Sequence, residues 1–191
     1  MAGETPVPPR TRGVAKAAIS TSRDGIPARK FPTLWTKVIG DAMKLYDQTC
    51  AYCCFRIHRI TGATSIDHMA PKSRAWDQVY EWTNYRLAAS RLNARKNAFL
   101  DVIDPCEAID GWFELELVDF QVVPSGHLLQ HELDAVEATI ARLRLNDQDM
   151  RATRTEHAEY FWNREISFAH LQRESPFVAR ELVRQGRDVQ R

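Results

Sequence analysis

Between Cys50 and Asn97 the chain gathers side chains suited to hydrolysis: Cys50-Ala51-Tyr52-Cys53, then Asp67-His68-Met69-Ala70-Pro71-Lys72-Ser73, then Asn84, then Asn93-Ala94-Arg95-Lys96-Asn97. Breaking a phosphodiester needs a nucleophile at neutral pH, charge neutralisation on the phosphate and relief of charge on the leaving oxygen. A neutral imidazole takes a proton from water readily, because its reference pKa of about 6.5 lies near working pH, so His68 is the candidate general base. The alternative for His68 is a core or surface histidine without a role. Lys72, on a loop, and Arg91, Arg95 and Lys96, on a helix, are the natural phosphate contacts. A solvated basic face is the other reading of these four.

This spacing resembles the HNH endonuclease family, whose active unit is a ββα-metal finger, and the match covers about a quarter of the chain. An Asp-His pair followed by Pro-Lys-Ser, a central Asn and a terminal Asn-x-x-Lys carries the resemblance. It implies a metal held by Asp67 and Asn93, whose hard oxygens suit Mg²⁺ or Mn²⁺ better than zinc. It also implies that Asn84 braces the loop through backbone hydrogen bonds and so orients His68. Asn97 lies four residues after Asn93, on the same helical face, as a further ligand of metal or phosphate.

Many relatives also hold a structural zinc between two Cys-x-x-Cys knuckles. Cys50 and Cys53 match the first knuckle, but the second would fall at Ala89 and Leu92. Structural zinc is almost always four-coordinate, so zinc is not expected; Ala89 and Leu92 should fill its place, with the cysteines as small buried hydrophobes. A shorter resemblance in the flanks, Asp101 to Pro105, Gly111 to Leu115 and Leu145-Asn146-Asp147, is to HNH subunits of bacterial anti-phage defence systems of the Septu and retron-associated type. It implies an ATPase partner subunit.

These residues need elements to position them. Apolar spacing predicts a helix over 33–46, a hairpin of 55–60 with 64–68 through Thr61-Gly62-Ala63, a loop over 69–83 and a helix over 84–97. A strand over 112–118 pairs with 120–123, and helices follow over 131–145, 151–171 and 175–185. The expected class is α+β: a ββα-metal finger with flanking helices and a second small hairpin. Residues 1–30 read as an extended basic arm, 31–106 as the nuclease core and 107–191 as an acidic strand pair with a helical elaboration on the same domain.

The 191 residues carry 26 Lys plus Arg and 25 Asp plus Glu, a formal net charge of +1. That balance conceals an asymmetry. Residues 1–30 hold six basic and two acidic side chains, 67–97 six and three, and 98–150 two and twelve. Attraction to phosphate depends on the local field, which fades over roughly 8 Å at physiological salt, so DNA remains the expected partner. The acidic block should face away from it. No apolar run approaches the length of a membrane span and no secretory leader is legible, so a soluble, cytoplasmic protein is expected. The rival reading from another class is a non-catalytic nucleic-acid-binding or scaffold subunit that keeps the finger as a fold. A third, a zinc-knuckle RNA-binding module, would need the zinc.

Overall fold

The computed structural model describes residues 31–190. The basic arm expected over 1–30 lies outside the described residues. Within them the chain is α+β, with two small antiparallel hairpins among helices. A 3-10 turn over Leu34–Val38 leads into α1, Ile39–Leu45. Strand β1, Thr64–His68, pairs with β2, Tyr85–Ala89, in a register that sets Thr64 against Ala89 and His68 against Tyr85. Helix α2, Ser90–Lys96, follows β2 without a loop. Then come β3, Phe113–Leu115, paired with β4, Val122–Pro124. Helices α3, Gln130–Leu143, α4, Gln148–Trp162, α5, Phe168–Glu174, and α6, Pro176–Arg184, complete the chain.

Three sequence expectations are corrected. Residues 55–60 are not a strand: Ile60 is 97% exposed, and the segment's only ladder contact is an isolated bridge from Arg56 to Thr49. The Gly62 N–H closes a turn onto the His58 carbonyl, and a Cβ there would lie 2.6 Å from that oxygen, so the apparent hairpin turn is a tight loop that needs glycine. The true partner of β1 is the segment read as the start of a helix. Tyr85, Arg86, Leu87 and Ala88 are all buried, so β2 has no solvent face to produce an alternating pattern. The helix expected over 151–171 is two helices. Arg164 takes a positive φ of 63°, and Ser167 caps α5 by accepting from the His170 N–H.

Two apolar clusters hold these pieces. One joins α1, Cys50, Tyr52, Ile57, the β1–β2 hairpin, Leu92, Val122, Leu143 and Leu145. The other joins Leu115 and Phe120 to α4, α5 and α6. Arg154, 1% exposed, donates to the carbonyls of Phe120 and Leu145, so a buried guanidinium ties the β3–β4 turn and the α3–α4 turn to α4.

Candidate active site

His68 ends β1, and three neighbours fix its ring. Nε2 lies 2.9 Å from the Val79 carbonyl, which can only accept, so Nε2 carries the proton and Nδ1 keeps the lone pair. The Tyr85 hydroxyl donates to the same carbonyl at 2.8 Å. Trp35 and Tyr85 meet the imidazole edge to face, each at 5.1 Å between centroids. Burial pushes the imidazole down to about 4, against the bond to Val79, and the charges of Lys72 and Lys96 act in the same direction as burial. The ring is therefore uncharged at neutral pH.

Val79 is held in turn by Asn84. Asn84, 5% exposed, accepts from the Ala70 N–H at 2.7 Å and donates to the carbonyls of Ala70 and Gln78 at 3.1 and 3.2 Å. Its own carbonyl takes the Met69 N–H at 2.9 Å. One amide side chain thus ties the start of the 69–83 loop to Gln78, the residue before the His68 anchor. The three-residue 3-10 turn Trp82–Asn84 delivers it there from the end of the loop.

Asp67 precedes His68 and is 4% exposed. Its Oδ2 takes a hydrogen bond from the Tyr52 hydroxyl and lies 3.1 Å from the Lys96 ammonium. Burial, with the Asp67 charge second, raises the Tyr52 phenol far above its ordinary value, so Tyr52 remains a donor. Lys96 is fully buried and also donates to the carbonyls of His68 and Met69, at 2.9 and 3.1 Å. One turn earlier on α2, Asn93 Nδ2 donates to Ser65 Oγ at 3.1 Å and to the Ile66 carbonyl at 3.3 Å. That orientation leaves Asn93 Oδ1 outward, because a carbonyl must face the N–H side of the amide.

Among the described residues no donor reaches Asp67 Oδ1 or Asn93 Oδ1, and no group of three His, Cys, Asp or Glu side chains is placed to share a metal ion. Asp67 and Asn93 each keep one oxygen without a protein hydrogen bond, and hard oxygens of this kind suit a Mg²⁺ or Mn²⁺ that keeps most of its water. They do not make a closed protein cage.

The four cations expected to meet phosphate are dispersed. The Lys72 ammonium sits 3.2 Å from the centroid of Trp35, beside His68, and burial lowers its pKa. Arg91 pairs with Asp149 at 2.7 Å and lies 3.5 Å from Asp147. Arg95 pairs with Asp147 and donates to the carbonyls of Leu143 and Arg144. Lys96 faces inward, as described. Asn97 is exposed and takes a φ of 49°, so the chain leaves the helix there and the face shared with Asn93 ends at Lys96. Part of the acidic block, Asp147 and Asp149, therefore lies against α2. Arg86, which the sequence did not single out, repeats the arrangement by forking onto both oxygens of Asp104.

Cys50 and Cys53 are buried with free thiols. The Cys53 thiol donates to Cys50 and so lowers the pKa of Cys50 while its own is raised; the Ala89 N–H also donates to Cys50 Sγ, at 3.3 Å. Leu92, 1% exposed, packs in the same apolar cluster, with Ala89 against it. Sequence reasoning missed Tyr52 and Trp35 as parts of the site. Tyr52 falls inside Cys-x-x-Cys, and Trp35 falls in the segment 33–46 expected to be helical. No family model matches the chain, and no curated protein matches it.

Proposed function

We propose that the chain is a metal-dependent HNH-type endonuclease that hydrolyses DNA phosphodiester bonds. The observation that carries this reading is the chain of contacts from Asn84 through Gln78 and Val79 to His68, which presents a neutral imidazole with Nδ1 unprotonated at the end of a ββα unit. Such an imidazole takes a proton from water, while the Nε2–H bond to Val79 keeps its tautomer fixed as Nδ1 becomes charged. Asp67 Oδ1 and Asn93 Oδ1 would hold a Mg²⁺ or Mn²⁺, which when bound supplies charge neutralisation on the phosphate and on the leaving oxygen. Lys72, held over Trp35, provides a fixed positive charge next to the base. The flanking resemblance supports the finer proposal of a cytoplasmic effector nuclease of an anti-phage defence system, working beside an ATPase subunit. Among the described residues no helix is long and apolar enough to cross a membrane.

One observation favours the second reading, a non-catalytic DNA-binding or scaffold subunit. The ammonium of Lys96 occupies one side of the carboxylate expected to hold metal, and Arg91 and Arg95 are spent on internal partners. Plasmid nicking by the wild type and His68→Ala across Mg²⁺, Mn²⁺, Ni²⁺ and Zn²⁺ separates the two. The nuclease reading expects Mg²⁺- or Mn²⁺-dependent nicking that falls by about 10²- to 10⁴-fold in the variant. Undiminished cleavage by folded, uncontaminated His68→Ala would overturn it, and DNA binding with no cleavage under any metal would favour the scaffold.

A further inference from the structure

The two oxygens of Asp67 are treated differently by the chain. Oδ2 is closed by a phenol and an ammonium, both supplied by buried side chains, whereas Oδ1 has no protein donor. Lys96 cannot swing away cheaply. Its ammonium donates to the carbonyls of His68 and Met69 and lies 3.1 Å from Asp67 Oδ2, and the side chain is fully buried. Its positive charge therefore stays beside the carboxylate and cancels the attraction that the carboxylate would offer a second cation.

Taking the nuclease reading as its basis, we infer that Lys96 and Tyr52 hold Asp67 as a half-closed ligand, so that the free protein takes up its divalent cation weakly and a nucleic-acid phosphate completes the site. The anion missing from the protein's own donor set is the one that the substrate carries. Asn93 offers a neutral amide oxygen, and among the described residues no group of three His, Cys, Asp or Glu side chains is placed to share a metal ion. A Mg²⁺-type ion bound by one or two protein oxygens and otherwise by water and phosphate suits this arrangement. The consequence is regulatory: without DNA the site would hold little metal, so the charge neutralisation that the metal would supply is missing from the idle protein.

The test is a Mn²⁺ titration of the full chain, read by loss of the free-ion electron paramagnetic resonance signal, on wild type, Lys96→Met and Tyr52→Phe. Removing the ammonium should tighten Mn²⁺ binding by at least about 10-fold, the scale on which outer partners tune a metal site. Tyr52→Phe, which removes only a hydroxyl, should tighten it less. Lys96→Met leaves a buried carboxylate without its cation, so Mn²⁺ should also raise its Tm more than it raises that of the wild type. His68→Ala mixed with duplex DNA should take up more Mn²⁺ than protein and duplex measured apart. If Lys96→Met does not fold, Tyr52→Phe decides. Unchanged or weaker Mn²⁺ affinity in the variants, with wild-type nicking intact, overturns this inference and leaves the nuclease reading standing. Absence of both Mn²⁺ uptake and nicking in every protein overturns both.

Discussion

Two buried carboxylates, Asp67 at the end of β1 and Glu181 on α6, show what separates a scaffold from a site. Glu181 is 1% exposed, and its Oε2 takes the Leu115 N–H at 2.9 Å and two donors of Arg184 at 3.0 and 2.8 Å. Its Oε1 lies 3.5 Å from Arg180. Oε2 is hydrogen-bonded and Oε1 faces a guanidinium, and the effect is to clamp β3 to α6. Asp67 is about as buried, but one of its oxygens is left open. Oδ1 of Asp67 is not among the buried unpaired atoms of the described residues, so it reaches solvent and is open to water or a ligand.

Paired substitutions sharpen that contrast most. Asp67→Asn removes the partner of a buried ammonium and should cost about 3 kcal/mol of stability. Glu181→Gln weakens the clamp and leaves donors poorly paired, costing about 2 kcal/mol, or roughly 4–8 °C in Tm for a domain of this size. Only the first should also reduce nicking per folded molecule, by at least about 100-fold, since it removes the one anionic ligand. Equal specific activities at a temperature where both variants are folded would break the distinction.

The open site should also declare itself through pH. With its imidazole held down to about 4 by burial, His68 stays neutral in the folded chain while the unfolded chain titrates near 6.5. Above about pH 6.5 both states are neutral and the contribution is intact. As pH falls towards 4 the unfolded state binds a proton that the folded state refuses, so stability is lost across that window. Between pH 7 and pH 5 this amounts to about 2 kcal/mol. Urea midpoints in the presence of a chelator should therefore drop less for His68→Ala than for wild type over that interval, by about that amount. The acid limb of the nicking rate should lie nearer 4 than 6.5.

The residues of the candidate site stand out in the sequence more than the architecture that positions them. Asp67, His68, Asn84 and Asn93 are recognisable by type and spacing, and the Asn84 side chain hydrogen-bonds the loop backbone at Ala70 and Gln78. The hairpin was not legible, because FRIHRI alternates locally while the real partner of β1 lies across a loop and is buried on both faces. Neighbouring cations also looked alike. Arg95 and Lys96 adjoin in sequence, yet one reaches Asp147 on the α3–α4 turn and the other points into the core beneath Asp67. One hundred degrees of helical rotation separates those fates, and neither Asp147 nor Tyr52 can be assigned to its partner without the fold.

The smallest effect concerns the outer edge of the finger. Arg91 and Asp149 are both largely exposed, with side chains 49% and 71% accessible, so their 2.7 Å pair stands in water, unlike the Asp67–Lys96 pair. Exposed pairs of this kind contribute between nothing and about 1 kcal/mol. Asp149→Asn should therefore shift the urea midpoint hardly at all. It should, however, leave Arg91 with only its 3.5 Å partner Asp147 and remove a carboxylate that repels phosphate. Salt dependence reports the number of phosphates neutralised, so the slope of log affinity against log salt for duplex DNA should steepen by up to about one unit in Asp149→Asn. An unchanged slope would mean that Arg91 belongs with Arg95 and Lys96 as a cation spent on the fold, leaving Lys72 as the only one of the four cations free of an acidic partner.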